Sequence, residues 1–92
     1  MNSIVQDGEP RCFVCGSMRD LELHHMMPGV ANRRLSTRYG LVCWLCRAHH
    51  TGNFGVHSDA VLMQRLRREA QAAFERTHTH EEWMQIFRKN YL

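Results

Sequence analysis

An α+β fold is what this chain of 92 residues predicts: two short strands, then two helices, drawn together by a metal staple. Three observations predict it. Cys12-x-x-Cys15 and Cys46-x-x-His49 are spaced knuckles of the kind that surround zinc. Residues 21–25 and 41–45 carry the alternation, or the β-branched and aromatic content, of short strands. From Ser58 onward apolar residues recur at helical intervals.

Taken in order, residues 1–10 read as a flexible lead-in, and residues 11–92 as one domain. Within it, 11–57 hold the knuckles and the strands, and 58–92 the C-terminal helices. Cys12 to Cys15 makes a tight turn ending at Gly16. Leu21-Glu22-Leu23-His24-His25 alternates as a strand does, and Pro28 and Gly29 end it. Residues 30–40, polar and rich in arginine, read as an ordered loop with room for a helical turn. After the second strand, residues 46–51 begin a helix or turn that Gly52 and Gly55 interrupt. Ser58 or Asp59 caps the first long helix. Its buried stripe is Leu62, Leu66, Ala70, Ala73 and Phe74, and Arg65, Arg67, Arg68 and Glu69 face water. Thr79 with Glu82 forms a capping box that opens the last helix. Trp83, Ile86, Phe87 and Tyr91 form that helix's inner face.

Composition narrows the function classes. With 43% hydrophobic and 23% charged residues the chain is globular rather than disordered. The longest apolar run, residues 41–45, is far too short to cross a bilayer. Residues 1–10 contain no apolar signal core, so a soluble cytoplasmic protein is expected. There, cysteines in this pattern bind metal more often than they form disulfides. Net charge is +3, and every cation except Lys89 is an arginine, whose planar fork suits phosphate. A nucleic-acid partner fits this make-up, as does a plain solvated surface.

The knuckles supply four ligands, Cys12, Cys15, Cys46 and His49, and leave no open position, so a zinc there is structural. His50 is the alternative fourth ligand. Cys43 has no partner at knuckle spacing and reads as an ordinary buried cysteine. Seven histidines are many for this length, and four of them come as the pairs His24-His25 and His49-His50. Adjacent strand residues point to opposite faces, so one imidazole can bind metal while its neighbour remains a base. His78 and His80 receive no role.

Cys12-x-x-Cys15, Leu23-His24-His25-Met26, Asn32, Leu45-Cys46-x-x-His49-His50 and Gly55-Val56-His57 together resemble the HNH endonucleases, the ββα-metal or His-Me finger group. The likeness is strongest to small HNH-like proteins of bacteriophages and prophages, whose ending Phe87-Arg88-Lys89-Asn90-Tyr91-Leu92 resembles. The resemblance implies a ββα-metal core and hydrolysis of nucleic acid, DNA foremost, to 5′-phosphate and 3′-hydroxyl ends. It implies His25 as general base, His24 and His50 as ligands of a catalytic Mg²⁺ or Mn²⁺, and His57 as a further ligand. Histidine-rich sites also accept Ni²⁺ or Zn²⁺. Asn32 is the best match to the asparagine that orders the loop between the strands, ahead of Asn53. Arg33, Arg34 and Arg38, nearest the site in sequence, are expected to contact backbone phosphates. The resemblance also implies a phage or prophage protein in a bacterial cytoplasm, as a homodimer or with a phage protein partner. Two rival readings are a non-catalytic zinc-finger module that binds nucleic acid and an adaptor in phage DNA processing.

Overall fold

The computed structural model describes residues 2–92. Its architecture is α+β. Strand β1 (Leu21–His25) pairs antiparallel with β2 (Val42–Cys46), with Leu21 opposite Cys46, His24 opposite Cys43 and His25 opposite Val42. The pleat sends Glu22 and His24 to one face and Leu21, Leu23 and His25 to the other. Cys43 and Leu45, opposite His24 and Glu22, are fully buried, so the face of Glu22 and His24 looks into the molecule.

The strands are joined by a helix, α1 (Val30–Tyr39), where a loop was expected. Leu35 and Tyr39, four residues apart, pack against the core, and Ser36 is fully buried between them. Gly40 closes the helix at φ 71°, its N–H bonded to the carbonyls of Ser36 and Thr37. That left-handed cap costs glycine little. Three arginines on the solvent side mask this period in the sequence.

A single turn, α2 (Arg47–His50), follows β2 directly. Residues 51–58 then fold back on it, and α3 (Ala60–Phe74) begins. Of the two expected caps it is Asp59 that acts, its carboxylate accepting from Val61 and Leu62 N–H at 3.0 and 3.1 Å. The final helix α4 (His80–Phe87) starts with the full capping box of Thr79 and Glu82. It ends earlier than its apolar pattern suggested. Arg88 turns left-handed at φ 63°, and Tyr91 packs from a trailing segment against Trp83.

The core gathers Met26, Met27, Leu41, Leu45, Leu66, Phe74 and Trp83, with Trp83 between Phe74 and Phe87. The indole N–H donates to Lys89 O at 2.8 Å. Gln71 is buried on α3 beyond the expected stripe; it donates to Glu75 and Asn90 and accepts from Tyr91 N–H, docking the chain's end. Arg67, expected in water, is half-buried with its guanidinium over the Tyr91 ring. The lead-in lacks helix and strand over residues 2–10 but is tied to β2: Ser3 Oγ donates to Val42 O at 2.6 Å, and Gln6 Oε1 accepts from Trp44 N–H at 2.8 Å. Residue 1 lies outside the described residues.

Candidate metal centres and the histidine cleft

Two groups of donor side chains form, and they share no residue. Cys12, Cys15, Cys46 and His49 offer ligand atoms within 4.8 Å of one another. Tetrahedral zinc with Zn–S bonds of about 2.3 Å sets its sulfurs about 3.8 Å apart, and sulfur from imidazole nitrogen about 3.6 Å. Cys15 Sγ and Cys46 Sγ are 3.8 Å apart, and His49 Nδ1 lies 3.2 Å from Cys46 Sγ and 3.9 Å from Cys12 Sγ. The four residues are therefore close enough to bind a metal and compatible with structural zinc. All four cysteines of the chain are free thiols. Burial alone works to raise the Cys12 thiol, but hydrogen bonds from the backbone of Cys46, Cys15 and Val14 outweigh it and bring it down to about 6. Cys46 goes the other way, raised by burial and by the neighbouring Cys12 and Cys15. A cation at the centre favours the thiolate at every position. Cys43 stays outside the group, and burial pushes its thiol up to about 12.

The second group is His24, His50 and His57, again within 4.8 Å. His24 comes from β1 and His50 from α2; His57 comes from the loop that folds back on α2. Their rings meet edge-on or tilted, with centroids 4.9 to 5.6 Å apart. His50 Nε2 and His57 Nε2 are 3.3 Å apart, within the roughly 3.0–3.4 Å between two nitrogens bound at about 2.1 Å to one ion. His24 is 2% exposed, and its Nε2 is buried without a hydrogen-bond partner. Left so, a polar atom costs about 1–3 kcal/mol. A shared cation removes that cost, so the donor set fits a metal. Burial, with the charges of His50, His57 and His25, holds the His24 imidazole down to about 3, in the neutral form that binds metal.

The spacing puts His49 with the cysteines and leaves His50 as the alternative, and the structure divides the two in that order. Successive residues of a helix lie about 100° apart around its axis, so one turn sends His49 to the cysteines and His50 to His24 and His57.

Glu22 was not among the expected site residues. Its Oε1 accepts from His50 Nδ1 at 2.9 Å, which leaves Nε2 of that ring to face the other histidines. The hydrogen bond from His50 is the main reason its carboxyl lies below the ordinary range, with the charges of His50 and Arg47 adding to it. A carboxylate behind a ligating imidazole fixes tautomer and orientation. The sequence held a signal: Glu22 stands two residues before His24, hence on the same strand face.

A cleft of about 420 Å³ opens beside this group, lined among others by His24, His25, His50, His57, Arg33 and the Pro28–Gly29 turn. His25 ends β1, and that turn brings α1 back over the strand end, so both imidazoles of the pair line one cleft despite opposite faces. Burial first, and then the charges of Arg33 and His50, lower the His25 pKa, keeping it neutral. Of the three arginines, only Arg33 lines the cleft. Arg38 stacks over Tyr39 at 5.4 Å and lines a separate groove beside the N-terminal segment; Arg34 is exposed and lines neither.

Asn32 is half-buried on α1 and does not line the cleft, and the loop-ordering bonds expected of it belong to another residue. Ser36 Oγ accepts from Met27 N–H at 3.1 Å and donates to Met27 O at 3.3 Å, fixing the link from β1 to α1. Asn53 is exposed in the 51–58 loop. That loop holds His57 in place because Val56 N–H donates to His49 O at 2.8 Å and His57 N–H to His50 O at 3.4 Å. Gly55 passes so near the His50 carbonyl that a Cβ there would overlap it.

His78 and His80, given no role, are structural: His78 stacks on Phe74 with centroids 4.2 Å apart, and His80 pairs with Glu75 at 3.0 Å. Among the described residues no helix is long and apolar enough to cross a membrane. Comparison with family models, with curated proteins and with solved structures gives no match.

Proposed function

We propose that the chain is a metal-dependent endonuclease of the HNH type that hydrolyses phosphodiester bonds of nucleic acid, DNA foremost. One observation carries the reading: beside a complete Cys₃His set stands a second, separate set of three imidazoles at the wall of an open cleft, with a fourth imidazole, His25, next to it. A zinc-binding module needs only the first set. On this reading β1, β2 and the turn carrying His49 and His50 are a ββα-metal core, and zinc at the cysteines is structural.

His24, His50 and His57 hold the catalytic cation, and Glu22 keeps His50 oriented. When bound, a divalent ion there supplies positive charge against the phosphate oxygens as the bond breaks. Three imidazoles favour Ni²⁺ over Mn²⁺ or Mg²⁺. His25, neutral because its pKa is lowered, takes the proton of the water that attacks phosphorus. Arg33 grips a backbone oxygen from the cleft wall.

The test is nicking of supercoiled plasmid by zinc-loaded protein with Ni²⁺, Mn²⁺ or Mg²⁺ added in turn, beside His25→Ala of equal zinc content. Loss of His25 is expected to lower the rate at least about 10²-fold, the low end for a positioned imidazole. No cutting by folded wild type with any ion, or equal cutting by both proteins, refutes the assignment. The first outcome favours a binding module.

A further inference from the structure

We propose that the groove between the N-terminal segment and the C-terminal end of α1 seats an unpaired nucleobase of the strand held in the histidine cleft. Resting on the nuclease reading, this subsite adds a substrate class: nucleic acid with single-stranded character beside the cut.

The groove has a volume of about 760 Å³, against about 420 Å³ for the cleft, and its walls are of a different kind. Tyr39, Trp44 and His78 bring three half-buried rings to it, and Arg38 adds a planar guanidinium 5.4 Å from the centre of the Tyr39 ring. Two of the rings are held by buried Phe74: His78 stacks on it with centroids 4.2 Å apart, and Tyr39 meets it edge-on at 5.7 Å. Rings fixed in advance lose little freedom when a ligand binds. The charged groups there are unspent. Arg38 and Asp7 both line the groove, both are exposed, and neither joins an ion pair among the described residues. This set suits a base, whose face stacks on rings and on arginine and whose amino groups donate to a carboxylate. A bare phosphate is repelled by Asp7 and leaves the rings unused.

A second observation is where the groove lies. Trp44 stands directly opposite Leu23 in the sheet, and side chains so paired share a face, with Cβ atoms about 4.5–5.5 Å apart. Leu23 lines the histidine cleft. Helix α1 flanks both: Arg33 lines the cleft, and Thr37, one turn on, lines the groove. A strand with its phosphodiester at the imidazoles therefore carries a neighbouring base to the groove. In a duplex that base is already stacked and paired, so only an unpaired one enters.

Trp44 supplies the readout. Trp83 is wholly buried, so quenching of tryptophan emission by an added strand reports the groove. Zinc-loaded His25→Ala protein, with no ion added for the cleft, is titrated with a short cytosine strand, an abasic strand of equal phosphate number and a blunt duplex. Saturable quenching is expected from the cytosine strand, with an affinity at least about fivefold above that of the abasic strand, the low end for one stacked base. The duplex should quench no more than the abasic strand does. Arg38→Lys keeps the charge but loses the plane; it should weaken the cytosine strand about two- to fivefold and leave the abasic strand unchanged. Equal affinity for the two strands, or an equal loss of both in Arg38→Lys, overturns the subsite. Quenching by a proline-rich peptide and by no strand overturns it in favour of a protein ligand. Any of these beside metal-dependent cutting by the wild type leaves the nuclease reading standing. Base-dependent quenching in a chain that never cuts sinks the nuclease reading and supports the groove as a grip on single strands.

Discussion

Glu22 reaches the cleft only through His50, and its effect should be read on metal rather than on fold. Glu22→Gln keeps the shape but loses the charge that fixes the imidazole, and about 10–100-fold weaker affinity for Ni²⁺ is expected by calorimetry. Zinc content should not change. An undiminished affinity would make the 2.9 Å contact incidental. His24 links the same site to pH. Its pKa is about 3 in the fold against 6.5 unfolded, so between those values the unfolded chain binds more protons. The contribution is complete above about 6.5 and is lost as pH falls toward about 3. In protein lacking the cleft ion, the melting temperature should drop more steeply from pH 7 to pH 5 than in His24→Gln, which takes no proton. Parallel curves would deny His24 that role. The knuckles and histidine pairs are readable in the sequence because their spacing is local. Glu22 and Ser36 are not, because each acts on a partner set by the tertiary fold: Glu22 on His50 across twenty-eight positions, Ser36 on the backbone of Met27.

The helices differ in how openly the sequence declares them. In α3 and α4 the caps Asp59 and Thr79 and the apolar stripes agree, and pattern and structure coincide except at α4's end and at Arg67 and Gln71, which the trailing segment partly or wholly covers. α1 was concealed because its apolar residues are few and its buried polar residue, Ser36, looks like a loop residue; Gly29 and Gly40 on either side were the remaining signal. Ser36→Ala removes both bonds to Met27 and leaves its buried amide unmet, so a loss of about 1–3 kcal/mol is expected in denaturant unfolding. A change below a few tenths would assign the β1–α1 link to packing alone. The loop 51–58 works by close approach. Gly55→Ala must push the backbone off the His50 carbonyl and carry His57 with it. Weaker Ni²⁺ binding at unchanged zinc content is the expected result, and unchanged Ni²⁺ binding would show that the loop yields without moving His57.

A chain of 92 residues has a small core, and the Cys₃His set joins its distant parts: a turn at 12–15 and the junction of β2 with α2. Removing zinc with a strong chelator should therefore unfold the sheet region, seen as loss of near-ultraviolet circular dichroism and of dispersed amide signals. Intact spectra after complete zinc loss would deny the staple its role. The N-terminal segment carries another consequence. Val42 and Trp44, which oppose His25 and Leu23, turn backbone groups away from β1, and Ser3, Gln6 and Phe13 N–H occupy them. A two-stranded sheet otherwise leaves a ladder onto which a strand of another molecule can zip. These residues thus act as a guard against strand addition, and a protein trimmed of residues 1–10, with the turn at 12–15 kept, would be expected to stick to itself as its concentration rises, whatever becomes of its chemistry.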